Sequence, residues 1–158
     1  MAKAMFAAGC FWGVEELFRQ QNGVLSTQVG YAGGHTKNPT YKEVCLDTTG
    51  HAEVVAIEYD PAMITFETLV QLFFDNHNPT TKNRQGPDIG SQYRSIIFYD
   101  SKEEEKIAQK VKNKLEKEKK FRYPIVTEII PTTTFYPAED YHQRYLQKQG
   151  RSHCNFED

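Results

Sequence analysis

The sequence lacks the spacings that would turn its sulfur into a metal centre or a disulfide framework. It has three cysteines in 158 residues, Cys10, Cys45 and Cys154, and no CxxC pair. Nor do its five histidines, His35, His51, His77, His142 and His153, fall at ligand-like intervals among themselves or with the cysteines. No apolar run approaches the roughly 20 residues of a membrane span, so no membrane is expected as a partner. Charge of neither sign dominates. The 19 Lys and Arg face 21 Asp and Glu, and no half of the chain is basic, which argues against nucleic acid. No leader is expected either: Met1-Ala2-Lys3-Ala4-Met5 runs straight into an apolar stretch, so the expected compartment is the cytoplasm, where thiols stay reduced. Repeats and low-complexity segments are absent. The length suits one domain with a substantial core rather than two.

What is present begins with a short apolar run, Ala4-Met5-Phe6-Ala7-Ala8, readable as a buried strand that ends at Gly9. Val14, Leu17 and Phe18 then recur at helical spacing, with Glu15, Glu16 and Arg19 on the other face. Gln21-Asn22-Gly23 is a helix stop. Val24–Ala32 alternates as a strand, and residues 33–39 are a loop. Thr40 and Glu43 form a capping box for a short helix over residues 41–46. Residues 53–59, EVVAIEY, are the clearest strand. Thr65 caps a helix to about residue 76. Residues 78–92 form a long loop without periodicity, and such loops in small domains are more often functional than not. A strand over 95–99, a charged helix over 101–120, a strand over 125–130, a loop over 131–137, a helix over 138–149 and a tail over 150–158 complete the chain. The charge run of the 101–120 helix reads as a solvated surface. The order of elements predicts an α+β fold, a two-layer α/β sandwich.

The residues with chemical potential are scattered through this order. Cys10 falls at a strand-to-helix turn, where unpaired amides and the helix dipole favour an anion and hence a thiolate. A small apolar residue filling a slot is an equally open reading of Cys10. Glu53 opens an apolar strand, where burial would disfavour the charged carboxylate and keep a proton available; a strand-end Glu in water is the alternative. Tyr41 and Tyr93 lie beside loops and offer neutral hydrogen-bond donors, though aromatic packing suits either. Asp88, in the long loop, is an acid or a loop cap. Cys154, in the polar tail, is either an incidental thiol or a mobile one able to meet disulfide geometry. Cys45, beside Val44 and Leu46, is expected to pack into the core.

Taken together, Gly9-Cys10-Phe11-Trp12-Gly13, Gly30-Tyr31-Ala32-Gly33-Gly34, Tyr41-Lys42-Glu43-Val44-Cys45, Thr49-Gly50-His51-Ala52-Glu53, Gly90-Ser91-Gln92-Tyr93-Arg94 and Ala138-Glu139-Asp140-Tyr141-His142-Gln143 resemble the signatures of the type A peptide methionine sulfoxide reductases. The resemblance spans nearly the whole chain in the family's order. It departs at Leu46-Asp47, where the family usually has small or polar residues with Gly. It implies an α/β sandwich with a ferredoxin-like core, extensive coil and a mobile C-terminal tail, forming one catalytic domain over residues 1–158. By the same resemblance, Cys10 would attack the sulfoxide sulfur, Glu53 would protonate its oxygen, and Tyr41 and Tyr93 would donate hydrogen bonds to that oxygen. Asp88 would join the polar wall, and Phe11 and Trp12 would hold the methyl group. Cys154 would resolve the Cys10 sulfenic acid to a disulfide, with Cys45 taking no part. The implied substrate is methionine-S-sulfoxide, free or in oxidised proteins. No bound cofactor or metal is implied, and the reductant is external: thioredoxin, or dithiothreitol in vitro. A monomer is expected.

A sulfoxide oxygen leaves poorly until protonated, so the site needs a carboxyl that keeps its proton and a thiol that loses its own. A helix start favours the thiolate without charging the acid. The alternative from another class is a redox-sensing module that uses Cys10 and Cys154 as a switch. What separates the two is whether methyl sulfoxide itself, rather than peroxide alone, oxidises the pair. His51 and His142, inside matched motifs, read as structural or supporting hydrogen-bonders.

Overall fold

The apolar opening run forms the centre of a sheet because neither of its faces carries a polar side chain. In the computed structural model, which describes residues 2–149, it becomes β1 (Ala2–Ala8), followed by α1 (Phe11–Arg19) and β2 (Val24–Ala32). Next come α2 (Tyr41–Cys45), β3 (Ala52–Tyr59) and α3 (Phe66–Asp75). A small hairpin of β4 (Arg84–Gln85) and β5 (Asp88–Ile89) precedes β6 (Ser95–Tyr99) and α4 (Lys102–Lys117). The chain closes with β7 (Glu128–Pro131), β8 (Tyr136–Pro137) and α5 (Tyr145–Lys148). The expected tail and Cys154 lie outside the described residues.

The main sheet has six strands in the order β7-β6-β1-β3-β2-β8. Its inner four, β6-β1-β3-β2, are antiparallel throughout, with α1 and α3 as crossovers. This is the βαββαβ arrangement of a ferredoxin-like core. Among the described residues, only the β6–β7 pair is parallel. Period-two alternation then sorts the side chains. Phe6, Val29, Tyr31, Val55 and Ile57 meet Phe11, Phe18, Leu69, Phe73 and Val111 from α1, α3 and α4. Met5, Ala7, Ala32, Ala52, Val54, Ile96 and Phe98 form a second, shallower cluster with Phe135 packed against it. Gly30 has no Cβ because one would sit 2.3 Å from the Tyr136 carbonyl oxygen and 2.5 Å from the Phe135 ring. That close approach lets β8 pair with β2.

Most local signals are realised. Thr40 and Glu43 form the reciprocal capping box of α2, and Thr65 and Ser101 cap α3 and α4. Asp47 takes a positive φ of 59°, so the turn that Gly would favour is kept with a residue that tolerates it.

Three expectations are corrected. The helix over 138–149 is broken into a 3-10 turn at Asp140–His142 and α5, with Arg144 left-handed between them. Tertiary partners outcompete the helical pattern there. Glu139 binds the Tyr31 hydroxyl and the Tyr41 amide, Gln143 binds the Val29 amide and carbonyl, and the Arg144 amide donates to Glu15. The strand over 125–130 starts late, at Glu128, because Val126 donates to the Pro79 carbonyl and Thr127 meets Ser95. Cys45 is exposed rather than packed, since the five-residue α2 buries only Val44.

A half-buried polar chain ties β6 to the end of α3. His77 has one ring nitrogen on the Phe73 carbonyl and the other on Ser95, whose hydroxyl contacts Thr127. The carbonyl can only accept, so Nδ1 carries the proton and Nε2 accepts from Ser95. Burial pulls His77 down to about 4, against the Phe73 carbonyl, which favours the charged form. Its folded value lies below the ordinary 6.5. The stability this contributes is therefore complete above that pH and is lost as pH falls toward 4, by at most about 3 kcal/mol. Urea denaturation across this window is expected to show the loss, and His77→Gln to flatten it. Gly30→Ala is expected to lower the unfolding free energy by about 1–3 kcal/mol, as overpacking does, read as a lower denaturation midpoint.

Candidate active site

The site is built where β1 ends and α1 begins. Gly9, with φ +100°, turns the chain sharply, and a Cβ on it would meet the Gln85 side chain at 2.8 Å. Cys10 is the N-cap residue of α1 and is half-buried. Its position puts it at the helix start, where the amides of the first turn have no partner within the helix.

One of those amides, on Phe11, donates to Glu53 Oε1 at 3.1 Å. Glu53 is 2% exposed. Alternation along β3 explains this burial: Glu53, Val55 and Ile57 share one face, and that face is the one covered by helices. Register then brings it to the helix start, since Glu53 pairs with Tyr31 on β2.

Two phenols stand near this carboxyl. Tyr41 is the first residue of α2, held by the capping box and by donation of its amide to Glu139 Oε2 at 3.0 Å. Tyr93 ends the 3-10 turn Ser91–Tyr93. Burial pushes both hydroxyls well above the ordinary tyrosine range, and the nearby Glu53 carboxylate pushes further in the same direction. Cys10, Cys45 and Asp88 act on Tyr93 in that sense too. Both phenols therefore stay protonated donors at any physiological pH. Burial also raises Asp88. Asp88 and Cys10 line the same cleft of about 390 Å³, walled in addition by Leu17, Asn76, His77 and Gln85. Glu53, Tyr41 and Tyr93 are not among its walls.

Phe11 is buried beneath the site, with ring contacts to Tyr31, Tyr41 and His142. Trp12 is partly buried, stacks on Tyr145 and donates its indole N–H to His142 Nδ1. The structure thus gathers Cys10, Phe11, Trp12, Tyr41, Glu53, Asp88 and Tyr93 from five separate stretches of chain. Cys154 lies outside the described residues. Glu139 and Tyr145 had escaped sequence reasoning, because Glu139 carries no periodic signal and Tyr145 sat inside an expected helix. Among the described residues, no group of three His, Cys, Asp or Glu side chains could hold a metal ion.

A family model described as peptide methionine sulfoxide reductase matches residues 2–158. The chain is similar to a protein of Methanosarcina mazei named peptide methionine sulfoxide reductase MsrA. The two are 56% identical over 150 residues, which is 95% of this chain and 71% of that one. A protein of the same name from Acidobacterium capsulatum is 56% identical over 155 residues, covering 98% of this chain and 99% of its own. Among solved structures, Mxr1 of Saccharomyces cerevisiae in reduced form superposes with a TM-score of 0.89 at 38% identity, covering 97% of this chain and 91% of that one. Mxr1 has also been solved in complex with Trx2; that structure gives a TM-score of 0.64 at 29% identity, over 91% of this chain and 84% of that one. Sequence and architecture agree over nearly the full length, and the chain belongs to the peptide methionine sulfoxide reductase family, type A.

Proposed function

We propose that this protein reduces methionine-S-sulfoxide, free or in oxidised proteins, with Cys10 as nucleophile and Glu53 as general acid. The observation that carries the reading is the Phe11 amide on Glu53 Oε1, which sets a buried carboxyl one residue from a thiol at a helix start. With Oε1 held by an amide, Oε2 is the oxygen that presents the acid proton. The sulfoxide oxygen lies toward Glu53, Tyr41 and Tyr93, and its methyl group toward Phe11 and Trp12.

The Cys10 thiolate attacks the sulfoxide sulfur while Glu53 protonates the departing oxygen. That oxygen is transferred to the Cys10 sulfur, leaving a sulfenic acid and releasing the thioether of methionine. The phenols of Tyr41 and Tyr93 stabilise the oxygen without surrendering their protons, as their raised values require. The sulfenic acid then condenses with Cys154, expelling water and forming a disulfide. A dithiol reductant of the thioredoxin kind takes the disulfide back to two thiols. The complex of Mxr1 with Trx2 supports this step by likeness.

Glu53→Gln keeps an acceptor for the Phe11 amide and removes the proton. Turnover of a methyl sulfoxide with dithiothreitol is expected to fall roughly 100-fold or more, the usual scale for a general acid, while Cys10 still reacts with iodoacetamide. Wild-type turnover in that variant would overturn the assignment. Cys154→Ser is expected to release one methionine per enzyme and then stall with thioredoxin, yet to cycle with dithiothreitol. Full thioredoxin-linked turnover would give the resolving step to Cys45 or to direct attack on the sulfenic acid.

A further inference from the structure

The chain has one tryptophan, and it stands two residues past Cys10. A Trp on the first turn of a helix has two side-chain torsions to settle, and α1 alone does not settle them. The indole is fixed from outside: its Nε1 donates to His142 Nδ1 at 3.0 Å, and its face lies on Tyr145 with centroids 3.8 Å apart and planes 15° from parallel. His142 is 0% exposed. Its ring centroid lies 5.1 Å from that of Phe11, 4.4 Å from Tyr41 and 4.1 Å from Tyr141. One imidazole therefore touches both aromatic residues that follow Cys10 and one of the two phenols near Glu53.

Its chemistry is set by the same contacts. Nδ1 accepts from an indole, which is a donor only, so the neutral ring carries its proton on Nε2. Burial holds His142 below the usual imidazole value, opposed by the nearby Glu139 carboxylate. Protonation would put a hydrogen on Nδ1 facing the indole N–H and break the bond. The residue reaches this place because the segment around it is tied down on both sides. Glu139 binds Tyr31 and Tyr41 ahead of it, and Gln143 and the Arg144 amide bind Val29 and Glu15 after it.

We propose that His142 is a positioning residue for the substrate's methyl group: by accepting the Trp12 indole N–H it fixes the plane of the ring that receives that group two residues past Cys10. This rests on the methyl sulfoxide reading given above. His142 touches neither the sulfur nor the oxygen of the substrate and acts through Trp12. Loss of the acceptor leaves the indole to rotate, so substrate binding weakens before the chemical step does.

His142→Phe keeps a buried ring and removes the acceptor, and His142→Asn restores an acceptor near the Nδ1 position. With a methyl sulfoxide peptide and dithiothreitol, His142→Phe is expected to raise KM about three- to tenfold, the scale of one neutral hydrogen bond. It is expected to leave kcat within about twofold and the alkylation rate of Cys10 unchanged. Trp12 is the sole tryptophan, so its fluorescence emission is expected to shift in His142→Phe and to return toward wild type, with KM, in His142→Asn. Unchanged KM and emission in a folded His142→Phe, or no rescue by Asn, would overturn the proposal. The single indole N–H resonance of the 15N-labelled wild type tests the bond without any variant: slow exchange with solvent is expected, and fast exchange would overturn it. A slowly exchanging indole in a protein that turns over no methyl sulfoxide would instead strike at the catalytic reading and leave the His142–Trp12 tie standing.

Discussion

A carboxyl group inside a protein is costly unless its oxygens are met by donors. Here the donor on Glu53 Oε1 is the first amide of α1, a group that has no partner within its own helix. One hydrogen bond thereby answers two needs, capping a helix start and satisfying a buried acid. Its consequences run outward. It requires β3 to lie beneath the N-terminus of α1 and Glu53 to face the helices, so it constrains the register of β3 against β1 and β2. It sets the acid one residue from Cys10. Near it Tyr41 and Tyr93 are held as donors, chiefly by burial.

The segment after β8 is held against α1, α2 and β2 by polar side chains rather than by helix periodicity. Glu15, buried on α1, accepts from the Thr27 hydroxyl and the Arg144 amide, and burial raises its value against those two bonds. Glu139 accepts from Tyr31 and Tyr41, and Gln143 both donates to and accepts from the Val29 backbone. These bonds span more than 95 residues of sequence in all but one case, since only Thr27–Glu15 is short-range. They tie the last described turn of chain to the first helix and bring His142 and Tyr145 to Trp12. The pose of Trp12 is thus set by residues near the end of the described chain.

Several features were legible residue by residue. The capping box at Thr40 and Glu43, the caps at Thr65 and Ser101, and the alternation of Val24–Ala32 are local, so short-range chemistry decides them. The strand expected over 53–59 was equally clear and forms as Ala52–Tyr59, while the side to which Glu53 turns was left open. The segment over 138–149 was misread because its helical pattern competes with long-range hydrogen bonds that no local window contains. Cys45 departs from its apolar neighbours because the five-residue α2 turns Val44 and Tyr41 inward and leaves Cys45 on the outside.

By itself the sequence determined the family, the order of the central elements, and the residue types that meet at the site. Those follow from composition, periodicity and motif, which are properties of neighbours along the chain. Only the tertiary structure decided that the Phe11 amide holds Glu53, that His142 holds Trp12, and that the late segment unwinds to bind Glu15 and Val29. Each of these is a hydrogen bond between groups far apart in sequence. Whether such a group finds its partner depends on which surfaces the sheet brings together in space.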